Sequence, residues 1–388
     1  MIKKAVFLAV SILVISIILA YLETNLFFLR LLTKKNIPRN IAAHENLEIS
    51  EKIDYKSNAN LTMALEKYGA ANIINNLVNE SEGGSVFDCH SEAHRIGRFA
   101  YELRGEGAFA ECTASCHSGC YHGAMEALLN KEGTENLAGL VKNTCARFDT
   151  IFGYFECLHG LGHGLLAYLN YDLPGGLETC KKLKDSFSIK SCYGGTFMEN
   201  VVTGLGQGAE GADHKTEWLS DDPYFPCNAV SKDYDIQYQC YQMQTSWMME
   251  LVEENFDTVK ENCLRAPKNM IGVCFKSYGR DAAGRTLRNK EKIVELCSKV
   301  SENYRDFCAA GAVHAVIDFS GPELKDQATE LCNLFEGSAK KTCYQVLASR
   351  LTTLFNDKYD RGTVCQDFEP EFQKWCHFPW TLINFDRW

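Results

Sequence analysis

The sequence predicts an all-α chain: an N-terminal transmembrane helix, then tandem disulfide-stapled helical hairpins of about 35 residues each. Three observations carry this prediction. An uninterrupted apolar run opens the chain, 18 cysteines fall into a regular register, and the segments between them repeat apolar residues at helical spacing. Apolar residues make up 46% and charged residues 23%, the balance of a folded globular chain. The net charge of −10, with no Lys/Arg-rich run, excludes a broad basic face for nucleic acid.

Lys3 and Lys4 precede the apolar residues 5–22, and Glu23 ends the run. At about 1.5 Å per residue this run spans roughly 27 Å, enough to cross a bilayer core. No small-x-small cleavage site follows it, so an uncleaved signal anchor is favoured over a cleaved signal peptide. The expected organisation is an anchor over 1–22, a juxtamembrane linker over 23–60 and an extracytoplasmic helical-repeat domain over 61–388. Arg30, Lys34, Lys35 and Arg39 follow the run and pull against that orientation by the positive-inside rule, so the cysteines must decide it.

From Cys145 onward the cysteines read as pairs: Cys145/Cys157, Cys180/Cys192, Cys227/Cys240, Cys263/Cys274, Cys297/Cys308, Cys332/Cys343 and Cys365/Cys376. Their first members recur at intervals of 35, 47, 36, 34, 35 and 33 residues. Each unit reads as two helices. Asn289 to Val300 places Ile293, Val294, Leu296 and Cys297 on one stripe, a polar turn follows, and a second helix runs from about Tyr304 to Phe319. The first cysteine then ends helix A and the second sits in an early turn of helix B, which an antiparallel hairpin brings within disulfide reach. Each such bridge contributes on the order of 3 kcal/mol. No CxxC knuckle occurs, so disulfides are favoured over structural zinc, and disulfides imply an oxidising, extracytoplasmic compartment.

Ahead of Cys145, the four cysteines Cys89, Cys112, Cys116 and Cys120 leave three connectivities open. Cys89–Cys116 with Cys112–Cys120 is preferred. Cys112-Thr-Ala-Ser-Cys116-His117 also resembles a stretched haem-attachment motif, which would take both cysteines out of this scheme.

Aligning the second cysteines exposes the chemistry. The third residue after them is Gly123, Gly160, Gly195 or Gly311, which predicts close backbone packing of helix B. The second and sixth residues share one helical face. That face carries His122 with Glu126, His159 with His163, and His314, and an earlier segment adds His90 with His94. Histidines four apart can place two imidazole nitrogens on one ion. His90, His94, His122, Glu126, His159, His163 and His314 are therefore the expected ligands of a transition metal, zinc, copper or iron, with enough donors for two ions. Glu126 is also the candidate general base.

Lys276 and Arg280 occupy the same face in another unit, and Gln242/Ser246 and Gln345/Ser349 in two more. Lys276 and Arg280 are the expected clamps of an anionic small-molecule or peptide substrate. His314 can share a cavity with the other histidines only if the hairpins close on themselves, so a closed α/α toroid is favoured over an open solenoid. At the level of fold this resembles the α/α barrels of some cyclases and glycosidases. The insertion Gly204 to Pro226 is a candidate lid, and His44, His214 and His377 fall off the register as surface residues. The functional expectation is a membrane-anchored metalloenzyme using activated water or dioxygen, a hydrolase or oxidase. The alternatives are a metal-delivery protein, or a solenoid scaffold whose histidines are incidental.

Overall fold

The computed structural model describes residues 49–82, 89–206, 216–320, 325–354 and 364–376. The apolar run 5–22, with His44, His214 and His377, lies outside them. Among the described residues every regular element is helical, and none is long and apolar enough to cross a membrane.

Helices of two turns or more are α1 (Asn58–Glu82), α2 (Cys89–Arg104), α3 (Gly119–Glu132), α4 (Leu137–Thr144), α5 (Ile151–Tyr168), α6 (Leu173–Cys180) and α7 (Ser186–Gly204). There follow α8 (Tyr234–Leu251), α9 (Phe256–Arg265), α10 (Ile271–Arg285), α11 (Lys290–Ser298), α12 (Glu302–Ser320), α13 (Lys325–Leu334) and α14 (Gly337–Leu354). Their starts are written in the sequence. Asn136, Asp172, Asp185, Asn255 and Asn289 each turn a side-chain oxygen onto a backbone N–H three residues on, the standard cap for the orphan donors of a first turn. Gly69, at φ 73°, kinks α1 in a conformation that favours glycine. The folded part reaches back to Ile53 and Tyr55, both buried, with the Tyr55 hydroxyl accepting from Asn76 Nδ2 at 3.0 Å.

Short helices α4, α6, α9, α11 and α13 alternate with the longer α5, α7, α10, α12 and α14. The longer set is internal: nearly every α5 side chain from Ile151 to Leu166 is buried. A helix apolar all round must be surrounded by protein. Nine disulfides form, each in the predicted pairing, five of them tying a short helix or its last turn to the longer one that follows, and no cysteine is free. Cys89–Cys116 and Cys112–Cys120 resolve the N-terminal ambiguity and overturn the haem-attachment reading, since neither cysteine remains for a thioether bond. The last staple departs from the hairpin scheme. Cys365–Cys376 closes a one-turn helix, Pro370–Gln373, whose Phe372 stacks on Tyr344 of α14 at 4.3 Å.

The insertion is not a lid over its described length. Asn200 of α7 bonds the Trp218 carbonyl at 3.0 Å, Trp247 bonds the Ser220 carbonyl at 2.8 Å, and Gln244 bonds the carbonyls of Pro223 and Phe225, each at 2.9 Å. These bonds pin the segment along α7 and α8, where it stands in for an outer helix and brings Cys227 to Cys240.

The internal helices pack in chain order, α2 on α3, α3 on α5, then α7, α8, α10, α12 and α14, and α14 also touches α5. At that last contact the Arg350 guanidinium lies over Phe152 and Phe155, 4.7 and 5.3 Å from their ring centres, and 3.5 Å from a Glu156 oxygen.

Candidate metal centre

Glycines set the register between neighbouring internal helices. A Cβ on Gly123 would stand 1.8 Å from the His94 carbonyl oxygen, and one on Gly97 2.0 Å from that of Cys120. Gly195 and Gly162 repeat the reciprocal contact between α7 and α5, against His159 and Cys192, and Gly311 and Gly279 repeat it between α12 and α10. Gly160 is looser, its Cβ position 3.1 Å from His122 Cα. The backbones thus touch where side chains are missing, and the facing positions of successive helices come level.

This register corrects the alignment of α2. Gly97 packs as Gly162 and Gly279 do, five residues after their cysteines, so Cys89 begins α2 three residues earlier than the later cysteines stand in theirs. His94 then takes the second position and Arg98 the sixth, with His90 one turn earlier.

The level arrangement stacks the imidazoles. The His122 and His163 rings lie 4.6 Å apart at 15°, His94 is 5.2 Å from His122 and 5.3 Å from His163, and His159 is 5.3 Å from His122. Two groups have ligand nitrogens within 4.8 Å of one another: His90, His94 and His122, and His122, His159 and His163. Such groups can hold a metal ion, and His122 belongs to both.

Acceptors behind the rings choose the tautomers. His90 Nδ1 lies 2.8 Å from the Cys116 carbonyl oxygen, His94 Nδ1 2.7 Å from Glu126 Oε1, and His163 Nδ1 2.8 Å from Glu199 Oε2. None of these oxygens has a proton to give while the carboxylates are ionised, so each Nδ1 donates and each Nε2 of a neutral ring keeps a lone pair. His90 Nε2 and His94 Nε2 then face each other at 3.1 Å. Two lone pairs at that distance repel, and a cation between them removes the repulsion. Nitrogens about 2.0–2.1 Å from one ion lie roughly 3.0–3.4 Å apart. His122 Nδ1, His159 Nδ1 and His163 Nε2 are buried without a hydrogen-bond partner, which costs stability. Burial, with mutual repulsion between the rings, holds His122, His159 and His163 well below the usual histidine range, in the neutral form that binds metals.

No family model, curated protein or solved structure matches the chain.

The site therefore stands on its own geometry. Of the expected ligands, His90, His94, His122, His159 and His163 come together. Glu126 does not join them: its Oε1 accepts from His94 and its Oε2 from Arg98 at 2.8 Å. Burial pushes Glu126 up, but His94 and Arg98 outweigh it and hold the carboxyl below its usual range. His314 lies apart from both groups. It lines a cavity of about 190 Å³ together with His122, His159, Glu156, Lys276 and Arg350, and burial, with Lys276 and Arg350 nearby, holds it neutral. Arg280 also borders this cavity, but its guanidinium bonds the Gln242 carbonyl at 2.8 Å and Ser246 Oγ at 2.7 Å and lies 3.3 Å from Asp281. That anchoring makes Arg280 a wall of the cavity rather than a reaching clamp.

Four charged residues in or beside the site escaped the second-and-sixth-position rule. Glu199, Asp281 and Arg350 each sit seven residues after their unit's second cysteine. Glu199 supports His163, with both side chains fully buried, and also takes bonds from Tyr171 and Thr203. Glu156, just before Cys157, lies 3.3 Å from His122, and burial pushes it up to about 8 against the pull of Arg350. Carboxylates behind metal-binding imidazoles orient the ring and raise its basicity. Replacing Glu199 by glutamine is expected to weaken Zn(II) binding about 10- to 100-fold in a chelator competition titration, with the fold retained by circular dichroism.

Proposed function

We propose that this protein is an extracytoplasmic metalloenzyme, tethered by residues 5–22, whose histidine centre opens on a cavity for a small anionic substrate. The observation that carries the reading is the mixed lining of one cavity. His122 and His159 of the histidine groups line it together with the cations Lys276 and Arg350 and with His314. The nine disulfides place the described domain in an oxidising compartment, in keeping with a chain held outside the cytoplasm. The contact of α14 with α5 supports closure of the internal helices into a ring, a toroid around the cavity.

When bound, the metal supplies a Lewis acid or redox centre at the cavity wall. The chain's own residues do the rest. Glu126, Glu199 and the Cys116 carbonyl hold His94, His163 and His90 with their Nε2 atoms forward. Lys276 offers a positive charge to an anionic group. Glu156 retains a proton at neutral pH beside His122 and can pass it to a group in the cavity. Glu126, the expected general base, acts instead through His94, and proton transfer falls to Glu156 as a general acid.

The test is metal content by plasma mass spectrometry on protein purified without a His-tag. A stoichiometric transition metal is expected in wild type, falling about tenfold or more when His122, His159 and His163 are all changed to alanine. A wild type that holds no metal even after reconstitution overturns the reading. Glu156→Gln separates enzyme from delivery protein: metal retained with turnover of model esters or dioxygen uptake lost supports catalysis.

A further inference from the structure

The face that carries His122 with Glu126 and His159 with His163 continues onto α7 as Gly194 and Met198, the second and sixth residues after Cys192. Gly194 makes room for an imidazole from the neighbouring helix: a Cβ there would lie 3.2 Å from His159 Nδ1. Met198 fills the sixth position, and its Sδ stands 3.4 Å from His159 Nε2. Both side chains border the cavity.

A thioether is a weak hydrogen-bond acceptor, so it does little to satisfy a buried imidazole, and the other ring nitrogen of His159 has no hydrogen-bond partner. The same separation has a simple meaning if the two atoms share an ion. Donors about 2.0 Å (nitrogen) and 2.3 Å (sulfur) from one tetrahedral metal lie roughly 3.5 Å apart, close to this separation. The remaining donors define its character. Glu126, Glu199 and Glu156 have their oxygens against His94, Arg98, His163, His122 and Arg350, and neither histidine group contains a carboxylate. All the cysteines are in disulfides, so no thiolate competes. Imidazoles with a thioether, lacking both carboxylate and thiolate, suit copper, and Cu(I) above all, better than zinc or iron.

We propose that the half of the centre formed by His122, His159 and His163 is a copper site, with the Met198 thioether as a further ligand. This rests on the metal-centre reading above and narrows it to one metal and one additional donor. Met198 occupies the ligand position of its repeat just as His163 does, with sulfur in place of nitrogen. The second half, His90 with His94, holds only nitrogen donors and carries no such preference.

The test is an anaerobic titration of wild type and Met198→Leu with Cu(I) against a chromophoric chelator, beside a parallel Zn(II) titration. Leucine keeps the volume and removes the donor. Cu(I) binding is expected to weaken by about tenfold or more in the variant, with Zn(II) affinity within about twofold. X-ray absorption on Cu(I)-loaded wild type reads the donor without any substitution and should show one sulfur at about 2.3 Å. Unchanged Cu(I) affinity in a folded variant, or a wild-type spectrum without sulfur, overturns the copper assignment alone. So does a wild type that binds Zn(II) but not Cu(I). A wild type that binds neither ion overturns the metal centre itself, and this assignment with it.

Discussion

Gly195→Ala is expected to destabilise the protein by about 3 kcal/mol or more, at the upper end of what overpacking costs. The added Cβ would stand 1.8 Å from the His159 carbonyl oxygen, 2.8 Å from its carbon and 3.1 Å from the His163 nitrogen. All three are backbone atoms of α5, so no side chain can rotate away and the two helices must separate. Separation also spoils the centre, because His159 and His163 ride on α5 while Glu199 and Met198 ride on α7. The variant should therefore lose Zn(II) affinity together with thermal stability. Gly284→Ala is the control: nothing lies within 4 Å of its Cβ position in the last turn of α10, and alanine there should be neutral or stabilising by up to about 1 kcal/mol. Equal midpoints for the two variants in denaturant melts with the disulfides intact would refute the account of helix contact.

Arg350→Met should cost about 3 kcal/mol, the lower end of the penalty for stripping the partner from a buried ion pair, because Asp318 is 25% exposed. Arg350 is 4% exposed, donates to both oxygens of Asp318, the NH2 bond at 2.6 Å, and lies 3.5 Å from Glu156. Methionine keeps part of the contact with Phe152 and Phe155 but leaves two acidic groups facing each other. The loss should depend on pH through Glu156. Its folded value of about 8 stands above the ordinary 4.5, so its contribution is present in full below about pH 4.5 and is lost as pH rises through 8. Removing Arg350 takes away the charge that restrains this rise and should move the loss to still higher pH. A stability deficit under 1 kcal/mol in urea melts at pH 7 would show that the contact between α14 and α5 is incidental.

Much of this was legible in the cysteine spacing, because a hairpin with a staple at a constant offset fixes which helical face points inward. The face at the second and sixth positions led to His122, His159 and His163, the same four-residue spacing led to His90 and His94, and these five do converge. Other parts were hidden for identifiable reasons. The offset of α2 is set by Gly97 against Cys120, a contact between helices that Cys89 alone does not announce. Glu126 has the spacing of a ligand, yet Arg98 and His94 from α2 claim its oxygens. The seventh position, with Glu199, Asp281 and Arg350, lies one residue beyond the face that was read, and charges there face neighbouring helices. His314 shares the register but joins neither histidine group, since the histidine-bearing helices α2, α3 and α5 are consecutive neighbours and α12 is not among them.

The disulfides have a consequence for biogenesis. Eight of the nine span only 8 to 13 residues of sequence, and the ninth, Cys89–Cys116, spans 27. A chain threaded through a membrane from its N-terminus exposes each later cysteine pair almost at once, before cysteines of the following unit have emerged. Correct pairing then follows from the order of arrival, because the nearest available thiol is the native one and short loops close fastest. Only the N-terminal quartet must choose among partners, and those are the cysteines beside His90 and His122. Errors of oxidation would therefore concentrate beside the histidine groups, and a disulfide isomerase would matter most for that one segment.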